Sequence, residues 1–511
     1  MKAAQSNATQ MISSNQQPDS GMECGSRISC QPKEDVSNLL PRIIQGGMGV
    51  GVSNWMLARQ VASYGELGVV SGTALDELMI RRLQTGDEGG HMRRALSAFP
   101  DPDVSSRLLN RYFIEGGKND DEPFLSKPVM NEAPNRWTEE LVIAANFAEV
   151  FLAKEGHQGR VGINYLLKIQ PPILASLYGA MLAGVDAVLV GAGIPLEIPA
   201  AISGLVSHST VSIDLPVNGS CSGVRHKLSF TPPESFSVTG ISLKHPRFFP
   251  IISSATLASL LNKKLPKQVD GFIIEEPSAG GHNAPPRGSA SFTSEGEPQY
   301  GSRDAINFEA IRALNLPFWL AGSYGSPTKL AHALSVGATG IQVGTLFAFC
   351  QESGLRSDLK NDTIKACLAG KQRVFQDPVA SPTGFPFQVL SLPGTLSEPE
   401  LYNQRSRQCD LGYLREAYER TDGSIGWRCP AENPNAFVSK GGKRADAVGR
   451  KCLCNGLMAN IGLAQIRKKT ELELPLLTSG RDLSSVLQLA SNSKMSYSAV
   501  DVLEFLLGPQ G

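Results

Sequence analysis

The feature that most constrains this chain is a series of short, continuous apolar runs separated by stretches with helical periodicity. They are Ile43 to Gly49, Leu67 to Gly72, Val161 to Leu166, Ala187 to Gly193, Phe249 to Ser253, Gly271 to Pro277, Phe318 to Ser323 and Gly340 to Phe347. A strand with one wet face alternates apolar and polar residues, whereas an unbroken apolar run is buried on both faces, as in a parallel sheet covered by helices. Glycine recurs at the C-terminal ends of these runs. The rhythm therefore predicts an α/β fold, a closed (β/α)8 TIM barrel.

Two stretches do not fit a minimal barrel and read as insertions: Gly86 to Arg136, and Val211 to Thr231, which has the pattern of a short hairpin between the fourth and fifth strands. After the eighth run, helical patterns such as Asp410 to Arg420 and Cys454 to Lys468 predict a helical C-terminal extension. Met1 to Leu39, rich in Ser, Gln and Asn, buries too little apolar surface to offset ordering entropy and reads as a disordered tail. The expected division is a tail at 1–39, a barrel at 40–352 and the extension at 353–511.

Charge and composition narrow the partners. Lys+Arg and Asp+Glu both number 48, and no basic run could track a phosphate backbone, so no nucleic acid is expected. No apolar run reaches the roughly 18 to 20 residues of a membrane span, so a soluble, cytoplasmic protein without a membrane partner is expected. The nine cysteines are too sparse for a secreted disulfide scaffold and suit a reducing compartment. Cys409, Cys429, Cys452 and Cys454 could hold zinc, but Cys-x-Cys replaces the commoner Cys-x2-Cys, so free thiols and no metal are expected. An assembly of identical chains is left open.

Gly46-Gly47-Met48-Gly49-Val50-Gly51 follows a strand and precedes a helix, yet its spacing is not G-x-G-x-x-G and no second βαβ half accompanies it. At the mouth of a barrel, Gly46, Gly47 and Met48 could instead let a planar ring approach the backbone; a merely tight βα turn is the plainer alternative. Gly322 and Ser323 end the seventh run, and Gly344 and Thr345 end the eighth. Barrels commonly hold a phosphate between these two loops, on backbone N–H groups and a helix N-terminus, although the glycines could simply relieve crowding. Asn164 ends the third strand, where an amide can bond a flavin edge. Lys168 could offset charge on such a ring or be a solvated helix residue. His282, after Gly280 and Gly281, would turn over the barrel mouth as an acid or base, or be structural.

Together these stretches resemble the nitronate monooxygenase family, FMN-dependent (β/α)8 barrels. The likeness runs over about Pro41 to Gly354. It is carried by Ile43-Ile44-Gln45-Gly46-Gly47-Met48 with Gly51-Val52-Ser53, by Gly162-Ile163-Asn164, by Ala279-Gly280-Gly281-His282, and by Ala321-Gly322-Ser323 with Gln342-Val343-Gly344-Thr345. The resemblance implies FMN as cofactor, His282 as catalytic base beside Gly281, a phosphate site at Gly322, Ser323, Gly344 and Thr345, and a flavin contact at Asn164. The chain departs from the family in Gly-Ser-Tyr-Gly for the usual Gly-Gly-Ile, in Asn283 after the histidine, in the insertion and in the extension. The implied substrate is a small molecule, a nitronate or nitroalkane oxidised with O2. The alternative is the related trans-acting enoyl reductases of polyketide and polyunsaturated fatty acid synthesis, which take an acyl thioester and use NAD(P)H.

Overall fold

In a computed structural model, residues 40–220, 224–233, 240–468, 471–492 and 495–509 are described, so the expected tail lies outside them. All eight apolar runs contain strands: β1 (Ile43–Gln45), β2 (Gly68–Ser71), β3 (Val161–Leu166), β4 (Ala187–Gly191), β5 (Arg247–Ile252), β6 (Phe272–Glu275), β7 (Phe318–Ala321) and β8 (Gly340–Val343). They form one sheet in the order β1-β8-β7-β6-β5-β4-β3-β2, every pairing parallel. The ends of that order meet: Leu67 N donates to the Ile43 carbonyl at 3.2 Å and Gln45 N to the Leu67 carbonyl at 3.0 Å. The fold is a (β/α)8 barrel.

Burial explains the unbroken apolar texture. Every residue of β4 is buried, as is every residue of β2. The interior admits Gln45 only because its amide is satisfied: Oε1 accepts from Val69 N at 2.9 Å and Nε2 donates to Ser53 Oγ at 2.8 Å. Local chemistry sets the helix boundaries. Asn54 caps the helix Trp55–Tyr64 by accepting from Leu57 N, and Ser326 with Pro327 starts the helix Pro327–Ser335.

The insertion after β2 contributes the helices His91–Ser97 and Pro102–Tyr112, which lie on the long helix Arg136–Lys154. Phe99 meets Phe147 edge-on at 5.2 Å and Tyr112 stacks with Trp137 at 6.3 Å. The hairpin expected between the fourth and fifth strands is present, Val211–Leu215 pairing antiparallel with His226–Phe230.

The chain beyond β8 mixes helices with short strands. Asp410 to Arg420, expected to be helical, instead contains the strand Glu416–Glu419, which pairs with Ile425–Arg428 and, in parallel, with Val217–Asn218. Cys454 to Lys468 holds a short helix, Leu453–Ala459, followed by the strand Ile466–Arg467. The segment then returns to the barrel. Its last helix, Ala499–Leu507, packs against both Trp55–Tyr64 and Pro327–Ser335, the place between the seventh and first helices that a barrel's eighth helix fills. Only the short helix Thr345–Ala348 directly follows β8. The C-terminal region is thus an excursion between β8 and its closing helix, and the described residues from Pro41 onward form one compact unit.

Candidate active site

A cavity of about 280 Å³ lies at the C-terminal ends of the strands and is lined by Gly46, Gly47, Met48, Asn164, Gly281, His282, Gly322, Ser323, Gly344 and Thr345, all singled out from the sequence. Lys168 does not line it; its ammonium lies over the Phe385 ring at 5.3 Å.

The turn after β1 is held rigidly. The Gly46 carbonyl accepts from Ser53 Oγ at 2.7 Å, Ser53 Oγ accepts from Met48 N at 2.9 Å, and Gly46 N donates to the Val343 carbonyl of β8 at 2.8 Å. Gly47 must be glycine because a Cβ there would stand 2.3 Å from Asn164 Cβ. Asn164 Nδ2 in turn donates to the Gly47 carbonyl at 3.1 Å.

Three buried amide oxygens on residues of the cavity wall, Asn164 Oδ1, Gln342 Oε1 and Asn460 Oδ1, have no hydrogen-bond partner among the described residues. Buried acceptors are mostly paired, with protein, ordered water or a ligand, so those facing a cavity are free to take a donor from whatever fills it. The site fits a planar group with a ring N–H, as the isoalloxazine edge has, above a floor of glycines. Gln342 was quoted in the sequence motif without a role; its orphaned oxygen gives it one.

The ends of β7 and β8 face one another. Gly322 and Ser323 have φ of 96° and 55°, so both are left-handed, a region serine enters only at a cost and one that often marks functional turns. Ser323 thereby keeps the turn that a second glycine would make more freely. Thr345 Oγ1 accepts from Gly480 N at 3.0 Å. The helix beginning at Thr345 has four residues, so its dipole is small, and an anion here would rest mainly on backbone N–H groups.

His282 sits where β6 turns back over the mouth. The turn is built by Gly281, at φ 80° with its N–H donating to Thr478 Oγ1 at 2.8 Å, and by Asn283, whose Nδ2 donates to the Ala279 carbonyl at 3.0 Å. Withdrawal from water pushes the His282 imidazole down to about 4, so at neutral pH the ring is uncharged and able to accept a proton. Glu275, at the end of β6, also lines the cavity, and burial raises its carboxyl to about 8, so it is largely protonated at pH 7. Both residues also line a second, mostly apolar cavity of about 190 Å³ that includes Ile194, Ile252, Leu257 and Ile306.

Sequence reasoning missed the contribution of the C-terminal excursion. Tyr413, Leu414, Leu457, Thr478, Ser479 and Gly480 all line the main cavity. No local motif marks them, because their role comes from tertiary return to the barrel mouth. Cys409, Cys429, Cys452 and Cys454 gather around one void of about 10 Å³. Burial raises the Cys409 thiol to about 11, and among the described residues no group of three His, Cys, Asp or Glu side chains is arranged to hold a metal. Among the described residues no helix is long and apolar enough to cross a membrane.

A barrel with its chemistry-bearing residues at the C-terminal ends of the strands defines an enzyme site. Residues 228–371 match the family model for nitronate monooxygenase, a stretch containing His282 and the β7 and β8 ends. The matched stretch, less than a third of the chain, is similar to that family, and the chain is a flavin-dependent oxidoreductase. Gly46 to Met48 and Asn164 lie outside the matched stretch. Among solved structures the chain is similar to FabK from Thermotoga maritima, at 15% identity over 93% of each chain with a TM-score of 0.46. It is similar to nitroalkane oxidase from Streptomyces ansochromogenes, at 15% identity over 92% of this chain and 96% of that one with a TM-score of 0.39. It is also similar to the enoyl reductase domain of MlnA from Bacillus amyloliquefaciens, at 12% identity over 92% and 93% with a TM-score of 0.46. No curated protein matches the sequence.

Proposed function

We propose that the chain binds FMN and oxidises nitronates, or the nitroalkanes from which they form, with O2. The observation that carries this reading is a neutral imidazole, His282, on the wall of the same cavity that holds unpaired amide acceptors, Asn164 and Gln342 among them, and the glycine-rich ends of β1, β7 and β8. In this reading Asn164 and Gln342 accept from the ring's N–H edge, while Gly46, Gly47 and Met48 give it room. The backbone at Gly322, Ser323, Gly344 and Thr345 receives the single terminal phosphate. When bound, FMN supplies the redox chemistry, taking electrons from the substrate and passing them to dioxygen. His282 removes the α-proton of a neutral nitroalkane; a nitronate arrives already deprotonated and does not need that step.

The test is oxygen consumption by the purified, FMN-loaded protein with an alkyl nitronate as sole substrate. Consumption that is saturable in nitronate supports the reading, and none above the free-flavin blank rejects it.

One observation favours a second reading, reduction of an enoyl thioester with NAD(P)H. That reaction needs a proton donor at the α-carbon, and Glu275 holds a proton at neutral pH where the two cavities meet. NADPH oxidation dependent on an enoyl thioester would support it.

A further inference from the structure

The His282 ring is held from one side by residues that the barrel does not supply. Its Nε2 lies 2.6 Å from Ser381 Oγ, and Phe387 meets the ring edge-on at 4.9 Å. The Gly281 carbonyl accepts from Gln388 N at 2.9 Å. Ser381 is fully buried, and its carbonyl accepts from Arg450 Nη1 at 2.6 Å. Its hydroxyl also lies 2.8 Å from Thr383 Oγ1 and accepts from Thr383 N at 3.2 Å.

We propose that Ser381 is a positioning residue for His282: its oxygen accepts Nε2–H and its own proton goes to Thr383 Oγ1, which leaves the basic lone pair on Nδ1. The proposal rests on the reading of His282 as the base.

A neutral imidazole has one N–H and one basic nitrogen, and the hydrogen bond made by one decides which is the other. Nδ1 has no hydrogen-bond partner among the described residues, so it is the nitrogen left for whatever the cavity holds. The chain His282, Ser381, Thr383 can be ordered in two directions. If Thr383 donates to Ser381 and Ser381 to Nε2, the proton moves to Nδ1, no basic nitrogen is left for substrate, and an N–H stands unpaired at the cavity. In the opposite direction the unpaired proton is the Thr383 hydroxyl's. Thr383 is half-exposed, so water can accept that proton. Only this direction leaves the imidazole a basic nitrogen that the Ser381 hydroxyl does not occupy. The C-terminal excursion, then, does more than cover the mouth: it sets which nitrogen of His282 reacts.

The experiment is NMR of the FMN-loaded protein with 13C- and 15N-labelled histidine, the chain having only seven histidines, with His282→Asn to assign the resonance. At neutral pH the wild type should show His282 as the Nε2–H tautomer. Ser381→Ala should show a mixture of tautomers at unchanged flavin content. Its nitroalkane turnover should fall by roughly ten- to a hundredfold, the size of effect seen when partners that orient a metal-bound histidine are removed. Ser381→Thr, which keeps the hydroxyl, should restore the tautomer. A wild-type ring in the Nδ1–H form, or a tautomer unmoved in Ser381→Ala, overturns the proposal; should Ser381→Ala not fold, the wild-type tautomer decides alone. Nitronate turnover without nitroalkane turnover in the wild type would count against the base reading, and absence of both against the proposed function, while the tautomer still settles Ser381's part.

Discussion

Replacing His282 by Asn separates proton transfer from flavin binding. The side chain lost is the neutral imidazole; the residues proposed to hold FMN lie on β1, β3, β7 and β8, and asparagine fills similar space without a basic nitrogen. A positioned base is worth about 10²- to 10⁴-fold in rate, or roughly 2.7 to 5.5 kcal/mol at about 1.36 kcal/mol per decade. The structure points to the lower end. A ring held near 4 by its withdrawal from water is a weak base at neutral pH, and a base contributes most when its pKa is near the working pH. The expected result is a loss of about a hundredfold with a neutral nitroalkane and a much smaller loss with the preformed nitronate. The pH profile follows with its sign: the active form is the neutral ring, present above about 4. The wild-type kcat/KM for nitroalkane should therefore stay flat from neutral pH down to about 5 and fall only below, whereas an ordinary histidine would lose activity near 6.5. Initial-rate kinetics on both substrate forms, with flavin content measured on each sample, checks this. Equal rates for wild type and His282→Asn on the nitroalkane, or a profile falling near 6.5, would refute the reasoning.

Gly344→Asp should lower FMN affinity at least tenfold by placing a carboxylate against the phosphate. A Cβ at Gly344 meets nothing nearer than Met48 Sδ at 3.5 Å, so Gly344→Ala should keep both fold and flavin; full occupancy in the aspartate variant would misplace the phosphate site. Gly47→Ala should cost flavin by pushing Asn164 aside, read as flavin released per folded chain. Glu275, raised to about 8, ionises in the unfolded chain before it does in the folded one, so it destabilises the fold as pH rises from about 4.3 towards 8. Glu275→Gln should raise Tm by a few degrees at pH 8 to 9 and leave it nearly unchanged near pH 4. Leu503→Ala, in the closing helix and fully buried, should cost about 2 to 5 kcal/mol in denaturant unfolding; a loss near zero would mean that the helix is a frayed appendage.

The barrel was legible because double-sided burial leaves a mark in consecutive residues: Ala187-Val188-Leu189-Val190-Gly191 can hardly be anything but a covered strand. The wall of the cavity was legible for a related reason, since Gly46, Gly47, Gly322 and Gly344 sit at strand ends, where a barrel puts its chemistry. The excursion was not. Asp410 to Arg420 has a helix-like composition, but Glu416–Glu419 is drawn into a sheet by Ile425–Arg428 and Val217–Asn218, and such long-range pairing overrides local propensity. Ser381 and Thr478 belong to no motif, and they matter only because the chain folds back onto His282 and Gly281. The lowered basicity of His282 and the lowered acidity of Glu275 are likewise products of burial, which no spacing encodes.

The most direct test of the central claim is an anaerobic titration of the purified protein, following the flavin spectrum as an alkyl nitronate is added, with NADPH in a parallel cell. The account predicts a yellow protein that releases FMN on denaturation, a spectrum that changes with nitronate in proportion to bound flavin, and recovery of the oxidised spectrum when O2 is admitted. A colourless protein that cannot be reconstituted with FMN would contradict it, as would a flavin inert to nitronate yet bleached rapidly by NADPH and reoxidised by an enoyl thioester.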